Sequence, residues 1–563
     1  MSLLEKKRNI VQLLLSIVGV VFVALLLNIY HFRLDLTTEK RYTLSWQTKM
    51  LLKNLEKEVY FQIFLDGELP PGFNKLKKGA IEMLEEFNEY GNGHIHFQLI
   101  NPSSETDPHK RDKIYKDLYE RGVQPTNIEE KDAEGGMRQK LIFPGIIVHD
   151  GKKETTVNLL KNVTGLSSDV NLNNSIEALE YELTAAIRRL SNSARKSVAF
   201  LTGHGELDRY HVADMGASLS QFYNVDWISA HELAKNRDQV QVLVIAQPRK
   251  DFGESEKYAV DQYIMNGGKV LWLVDQVEAS MDSLRQKETS FAFYKPLNLE
   301  DQLFRYGVRL NPDLVMDAQC LLVPVKTSLA GATARFSPGP WYYSPLLVPP
   351  STHPITRNLN MVKGEFINSI DTVGRDANIR KTILLRTSPL THLQKVPCPV
   401  SLDIVRSPLS SSDFKSGARA VAVLLEGTFT SVFRNRLIPG VVKKDILQMS
   451  KPTRMIVISD GDIIRNRVRG VGQNRQIEKL GYDRYSRQTY GNRKFLLNCV
   501  DYLCDDQGWM DLRSREVRLR MLDKVSIREN RLTWQLINLI LPVLLVLFVG
   551  VVIYFLRKRR FAR

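Results

Sequence analysis

Lys196-Ser197-Val198-Ala199-Phe200-Leu201-Thr202-Gly203-His204-Gly205-Glu206 is the stretch that decides the fold. Ser197–Leu201 is a short apolar run, the mark of a strand buried on both faces. Thr202 to Glu206 is polar and glycine-rich, so it reads as a tight turn at the strand's carboxyl end. The pattern then repeats. Asp214–Tyr223 reads as a helix and Val242–Ala246 as a second buried strand. Ser255–Met265 is a helix stopped by Asn266-Gly267-Gly268, and Lys269–Val274 is the next strand, followed by Asp275. Strands alternating with helices predict a mostly parallel sheet covered on both faces.

Downstream, the clear pattern returns with strands Ala420–Leu425 and Arg454–Ser459, a closing helix Lys494–Leu503 and a last strand Val517–Met521. Between about 278 and 418 the signal weakens. Prolines and glycines cluster at Ser337-Pro338-Gly339-Pro340 and Val348-Pro349-Pro350, which predicts a β-rich elaboration of the same domain, 196–525 as a whole.

Upstream, a separate region spans 32–168. Ser45 is the expected N-cap of a helix Trp46–Leu55. Val59–Leu65 and His94–Ile100 read as strands. Phe73, Leu76, Ala80, Leu84 and Phe87 recur at helical spacing. Lys113–Arg121 is another helix, and Leu141–His149 with Lys153–Leu159 reads as a hairpin around Asp150-Gly151. This strand–helix–strand–helix–hairpin order resembles a thioredoxin-like domain without its cysteines, a likeness of architecture only. Asn174–Leu190, with Asn174 and Glu177 spaced for a capping box, is expected to be a connecting helix within 169–195.

The two ends of the chain are apolar. Ile10–Tyr30 and about Leu536–Leu556 contain no charged residue, and each can span a bilayer as a helix. Lys6, Lys7 and Arg8 flank the first. Arg557, Lys558, Arg559, Arg560 and Arg563 flank the second. Basic flanks stay in the cytoplasm, so 1–31 is expected to be a cytoplasmic tail with a membrane helix and 534–563 a membrane helix with a basic cytoplasmic tail, the central region lying outside. Pro542 is tolerable within a membrane helix. The tails hold +7 of the net +16, leaving +9 spread over the rest. That mild excess suits an anionic surface or an acidic polymer and does not suggest nucleic acid.

Five residues are candidate ligand-binding groups. His204, Glu206 and Asp275 follow strands, and so do Asp460 and Asp462 in Val457-Ile458-Ser459-Asp460-Gly461-Asp462. Ligands of open parallel sheets bind beyond the strands' carboxyl ends. Against that reading, Gly203 and Gly205 permit a turn whose polar residues cap the next helix. A search for catalytic motifs fails. There is no G-x-S-x-G or G-x-C-x-G elbow, no P-loop and no CxxC, and His109, His149, His211, His231, His353 and His392 form no HExxH. No catalytic residue, metal or cofactor is assigned, and the chain is expected not to be an enzyme.

Several segments in order carry a family resemblance. They are Thr37–Ser45, Leu69-Pro70-Pro71-Gly72-Phe73, Leu201–Glu206, Asp261–Trp272, His353-Pro354-Ile355-Thr356, Ile458–Asp462 and Asn492–Asn498. Together they resemble the GldG-like auxiliary, substrate-binding proteins of gliding-motility ABC transporters in Bacteroidota. The resemblance implies a membrane permease and a cytoplasmic ATPase as partners. It also implies a periplasmic domain on the inner membrane, and support of gliding and its associated secretion. It further implies that the central domain is amidotransferase-like without the nucleophile. An envelope scaffold or glycan-binding protein independent of a transporter is the alternative.

Overall fold

The computed structural model describes residues 43–131, 137–163, 166–191, 195–326, 336–374, 377–436, 446–470, 472–514 and 530–561, with part of 11–22. Most of the expected span Ile10–Tyr30 lies outside the described residues, as do Leu34–Tyr42 and the strand expected at Val517–Met521. Two compact units are present: Leu44–Arg515, and Met1–Thr43 with Glu516–Arg563.

The first part of the large unit is a four-stranded sheet. Its elements are α1 (Trp46–Lys53), β1 (Val59–Ile63), α2 (Pro71–Tyr90), β2 (Ile95–Leu99), α3 (Pro108–Glu120), a hairpin of β3 (Thr126–Lys131) and β4 (Met137–Ile142), then β5 (Gly145–His149) and β6 (Glu154–Asn158). The strand order is β2-β1-β5-β6, with β1 parallel to β2 and antiparallel to β5. Ser45 caps α1 as expected, its hydroxyl accepting from Thr48 N at 3.2 Å. The turn between β5 and β6 is longer than the two residues expected. Asp150 Oδ1 accepts from the backbone of both Lys152 and Lys153, so residues 150–153 close a four-residue loop.

The helix expected at Asn174–Leu190 is two helices, α4 (Ser168–Glu177) and α5 (Leu179–Ser191), divided at Ala178. Ser167, not Asn174, is the cap, accepting from Val170 N. Leu179, Leu183, Ala186, Ile187 and Leu190 of α5 complete the first core. Helix α2 lies against this pair at two glycines. A Cβ at Gly72 would meet Leu172 Cδ1 at 2.4 Å, and one at Gly79 would meet Leu179 Cδ1 at 3.3 Å.

The second sheet contains the predicted strands β7 (Ser197–Thr202), β9 (Val242–Ala246) and β10 (Lys269–Leu273), together with β8 (Asn224–Ser229), which the sequence reading did not identify. It continues with β11 (Val308–Leu310), β12 (Ile370–Thr372), β13 (Ile379–Arg386), β14 (Ala420–Gly427) and β15 (Thr453–Ile458). The order is β11-β12-β14-β15-β10-β9-β7-β8, with β13 also paired to β14. The five strands β8, β7, β9, β10 and β15 are parallel, and β14 runs against β15.

Alternate residues explain the continuous apolar runs. Val198, Phe200, Val244, Leu271 and Ile456 face one core with α6 (Ala213–Ser220) and α8 (Asn492–Cys504). Ala199, Leu201, Leu243, Trp272 and Val457 face the other with α7 (Glu254–Met265). The β-rich region has its own core around Trp341, Tyr343, Phe366 and Val400, yet three of its strands join the main sheet. All four cysteines are free. In the other unit, α9 (Arg531–Phe561) contains a stretch, Arg531–Leu556, long and apolar enough to cross a membrane.

Candidate functional site

The parallel strands deliver three polar residues to one edge. Gln247 follows β9, Asp275 follows β10 by two residues, and Asp460 follows β15 by two. Asp275 is the hub. Its Oδ1 accepts from Gly461 N at 2.6 Å and its Oδ2 from Gln247 Nε2 at 2.8 Å, with Lys295 Nζ 3.9 Å away. Gly461 is required by the crowding. A Cβ there would lie 2.6 Å from Gln247 Cγ and 2.7 Å from Asp275 Oδ2.

Asp460 closes the turn itself. Its Oδ1 accepts from Asp462 N and Ile463 N, and its Oδ2 from Glu365 N at 3.1 Å. Asp460 is fully buried. Burial first, then the charges of Asp275 and Asp462, push its carboxyl well above the ordinary range. Asp462 is pushed up to about 7 by burial, then by Asp275 and Glu365, against the opposing pull of Arg465. Burial and neighbouring negative charge thus both disfavour the ionised forms of Asp460 and Asp462.

His204 and Glu206 belong to a second group. The ring of His204 stacks on Phe252, centroids 3.7 Å apart and planes 8° from parallel. Its Nδ1 is 3.0 Å from Glu206 Oε1 and its Nε2 is 3.0 Å from Glu256 Oε2. Burial opposes its protonation, but hydrogen bonding to Glu206 and Glu256 outweighs this and raises its pKa. Glu206 also accepts from His204 N, and Glu256 from Gly253 N at the start of α7. Gly203 and Gly205, at φ +128° and +73°, permit the turn. The histidine thus fastens the turn after β7 to the first turn of α7.

The five sequence candidates therefore divide. Asp275, Asp460 and Asp462 come together with Gln247 and Glu365, while His204 and Glu206 pair with Glu256. Sequence reading did not identify these last three partners. Glu256 carries a local signal, since it stands three residues after Gly253 at a helix start. Gln247 follows a buried strand as Asp275 does. Glu365 arrives from the β-rich region and has no local signal. Among the described residues, no group of three or more His, Cys, Asp or Glu side chains could hold a metal ion.

A family model described as an ABC-type uncharacterized transport system matches residues 195–499, the whole of the second sheet with both carboxylate groups. The chain belongs to this ABC-type transport system family. Membership gives it an accessory role in an ABC transporter and associates it with a transporter complex. A second family model, described as a domain of unknown function, matches residues 38–149. A protein of Borreliella burgdorferi, titled only as uncharacterized, is 21% identical over 99% of this chain and 99% of its own length. Among solved structures, the mmIFT52 N-terminal domain aligns at TM-score 0.30 and 12% identity, over 55% of this chain and 99% of that one. The exo-β-1,4-mannosidase Op5Man5 from an Opitutaceae bacterium aligns at TM-score 0.18 and 9% identity, over 76% of this chain and 51% of that one. Scores so low assign no shared fold.

Proposed function

We propose that this ABC transport-family chain is a non-catalytic auxiliary subunit that captures a ligand outside the cytoplasmic membrane and works with a separate permease and ATPase. The observation that carries the reading is the family match over 195–499, joined in one chain to the apolar stretch Arg531–Leu556. The charge asymmetry of the ends supports cytoplasmic termini and a periplasmic central region. The order β2-β1-β5-β6, with α2 and α3 in the crossovers, supports a thioredoxin-like external domain in 32–168. The five parallel strands, with no nucleophile elbow in the sequence, support an amidotransferase-like sheet put to binding. Among the candidate residues, Asp275, Asp460 and Asp462 lie where ligands of such sheets bind. The shared segments from Thr37 to Asn498 support a role in gliding motility and the associated secretion.

Removal of residues 531–563 from the gene in its native host tests the anchor. The truncated protein, still tethered by the expected span Ile10–Tyr30, should lose its co-purifying permease and the transporter-dependent phenotype. Full function of the truncated chain would end this reading.

A further inference from the structure

A polar cleft of about 650 Å³ opens where Asp462, after β15, meets the N-terminus of α8 and two short strand pairs, Val468–Arg469 with Gln476–Ile477 and Tyr482–Asp483 with Gln488–Thr489. Lys363, Arg465, Arg467, Arg469, Lys479 and Arg484 line it. So do four carboxylates, which the lining cations themselves engage. Lys363 lies 3.7 Å from Glu365. Arg465 holds Asp462 and Asp282, each at 3.3 Å. Arg469 holds Glu478 at 2.5 Å. These pairs use every lining carboxylate and three of the cations. Arg484 turns over the ring of Tyr485, 4.6 Å from its centroid. Among the described residues, Arg467 and Lys479 have no carboxylate within ion-pair distance.

The walls are braced from within. Asn492 Oδ1 accepts from Lys363 N, and its Nδ2 donates to Lys363 O and Ile463 O. Asn466 donates to Glu478 O at 2.8 Å, and Asp214 accepts from Leu480 N at 2.8 Å. Asn492 is also the first residue of α8, which has no side-chain cap and no acidic residue in its first turn. The positive end of a 13-residue helix therefore adds to the field of the cations.

We propose that this cleft is a binding site for a small ligand with at least two phosphate or carboxylate groups on a polar frame. Its volume is that of a small-molecule site. Among the described residues, Met281, Val468 and Leu480 are its only aliphatic side chains, too little apolar surface for an acyl chain or a hydrophobic peptide. Its cations are gathered in a recess and not laid along a groove, which disfavours a nucleic acid strand. Arg467 and Lys479 are the two groups free to meet the ligand's charges. The assignment does not depend on the transporter reading.

Titration calorimetry on the full-length protein in detergent tests it, with inorganic pyrophosphate as the two-phosphate probe and digalacturonate as the two-carboxylate sugar probe. At least one should bind with saturation at one site, and added salt should weaken it. Arg467→Ala combined with Lys479→Ala should lower the affinity about tenfold or more, since charge-assisted hydrogen bonds are the strong ones. Arg305→Ala with Arg434→Ala, at a different cationic surface, should leave it unchanged. Binding of pyrophosphate alone assigns a phosphorylated ligand, and binding of digalacturonate alone an acidic saccharide. Failure of both probes to saturate in the millimolar range overturns the proposal. So does affinity unmoved by the double substitution. If that double variant melts early, Lys479→Gln alone, at an exposed position, must still weaken binding.

Discussion

At the residue scale, the most constrained position of the candidate site is a glycine. Gly461 lets the turn after β15 lie against Gln247 and Asp275. Gly461→Ala forces a methyl group into that contact and should cost about 1–3 kcal/mol, the usual price of overpacking. Chemical denaturation of the region 44–515 checks this, and an unchanged midpoint would show that the turn yields easily. Asp462 carries a pH signature. Its folded carboxyl, near 7, keeps a proton that the unfolded one, at 3.8, has already lost. The folded state therefore binds more protons between about pH 4 and about pH 7, and stability falls as pH rises through that window. Asp462→Asn should flatten this slope, measured by unfolding at several pH values across it. A slope as steep as the parent's would contradict the assignment. Asp275, Asp460 and Asp462 were visible in the sequence because each follows a strand whose apolar run is unmistakable. Their partner Glu365 was not, since the chain between 278 and 418 brings it in from a distant loop. His204 was visible for the same reason as the aspartates. What the sequence hid is its engagement by Glu256, a contact set by how α7 packs.

At the element scale, helix α5 does more than connect. Leu183, fully buried, belongs to the first core, while Tyr181 on another face donates to Met510 Sδ at 3.1 Å. Arg188 lies over the Trp509 ring, 4.6 Å from its centroid. The helix thus belongs to the first sheet and also touches the end of the second region. Leu183→Ala should destabilise by about 2–5 kcal/mol, as cavities in closed cores do. Hydrogen exchange should show lost protection in β1, β5 and α5 first. Uniform, unchanged protection would mean that α5 is not part of that core. The sequence marked the apolar face of this helix but not its division at Ala178, because Ser167 provides a cap further upstream than the apolar pattern begins. Of the five parallel strands, β8, whose residues are half-exposed, was not legible, whereas β7, β9, β10 and β15 were, from their length and flanking turns. The hairpin of β3 and β4 was not. Its segments carry Glu129, Glu130, Lys131 and Arg138, and a two-stranded hairpin of that polarity has no buried-run signal. The short strands β11 and β12 were equally silent, since three residues do not make a period.

At the scale of the whole molecule, the sequence separated apolar ends from folded middle, and family membership turns that layout into an accessory role in ABC transport. In the proposed reading a separate ATPase subunit supplies the energy of transport. In the same reading the apolar stretch Arg531–Leu556 is where the permease meets the chain in the bilayer. The most direct measurement is purification of the full-length chain from native membranes in mild detergent, followed by mass spectrometry. A multi-span permease and an ATPase recovered in fixed ratio is the predicted result. Recovery of the chain alone, or with cell-wall material and no transporter, would contradict the account.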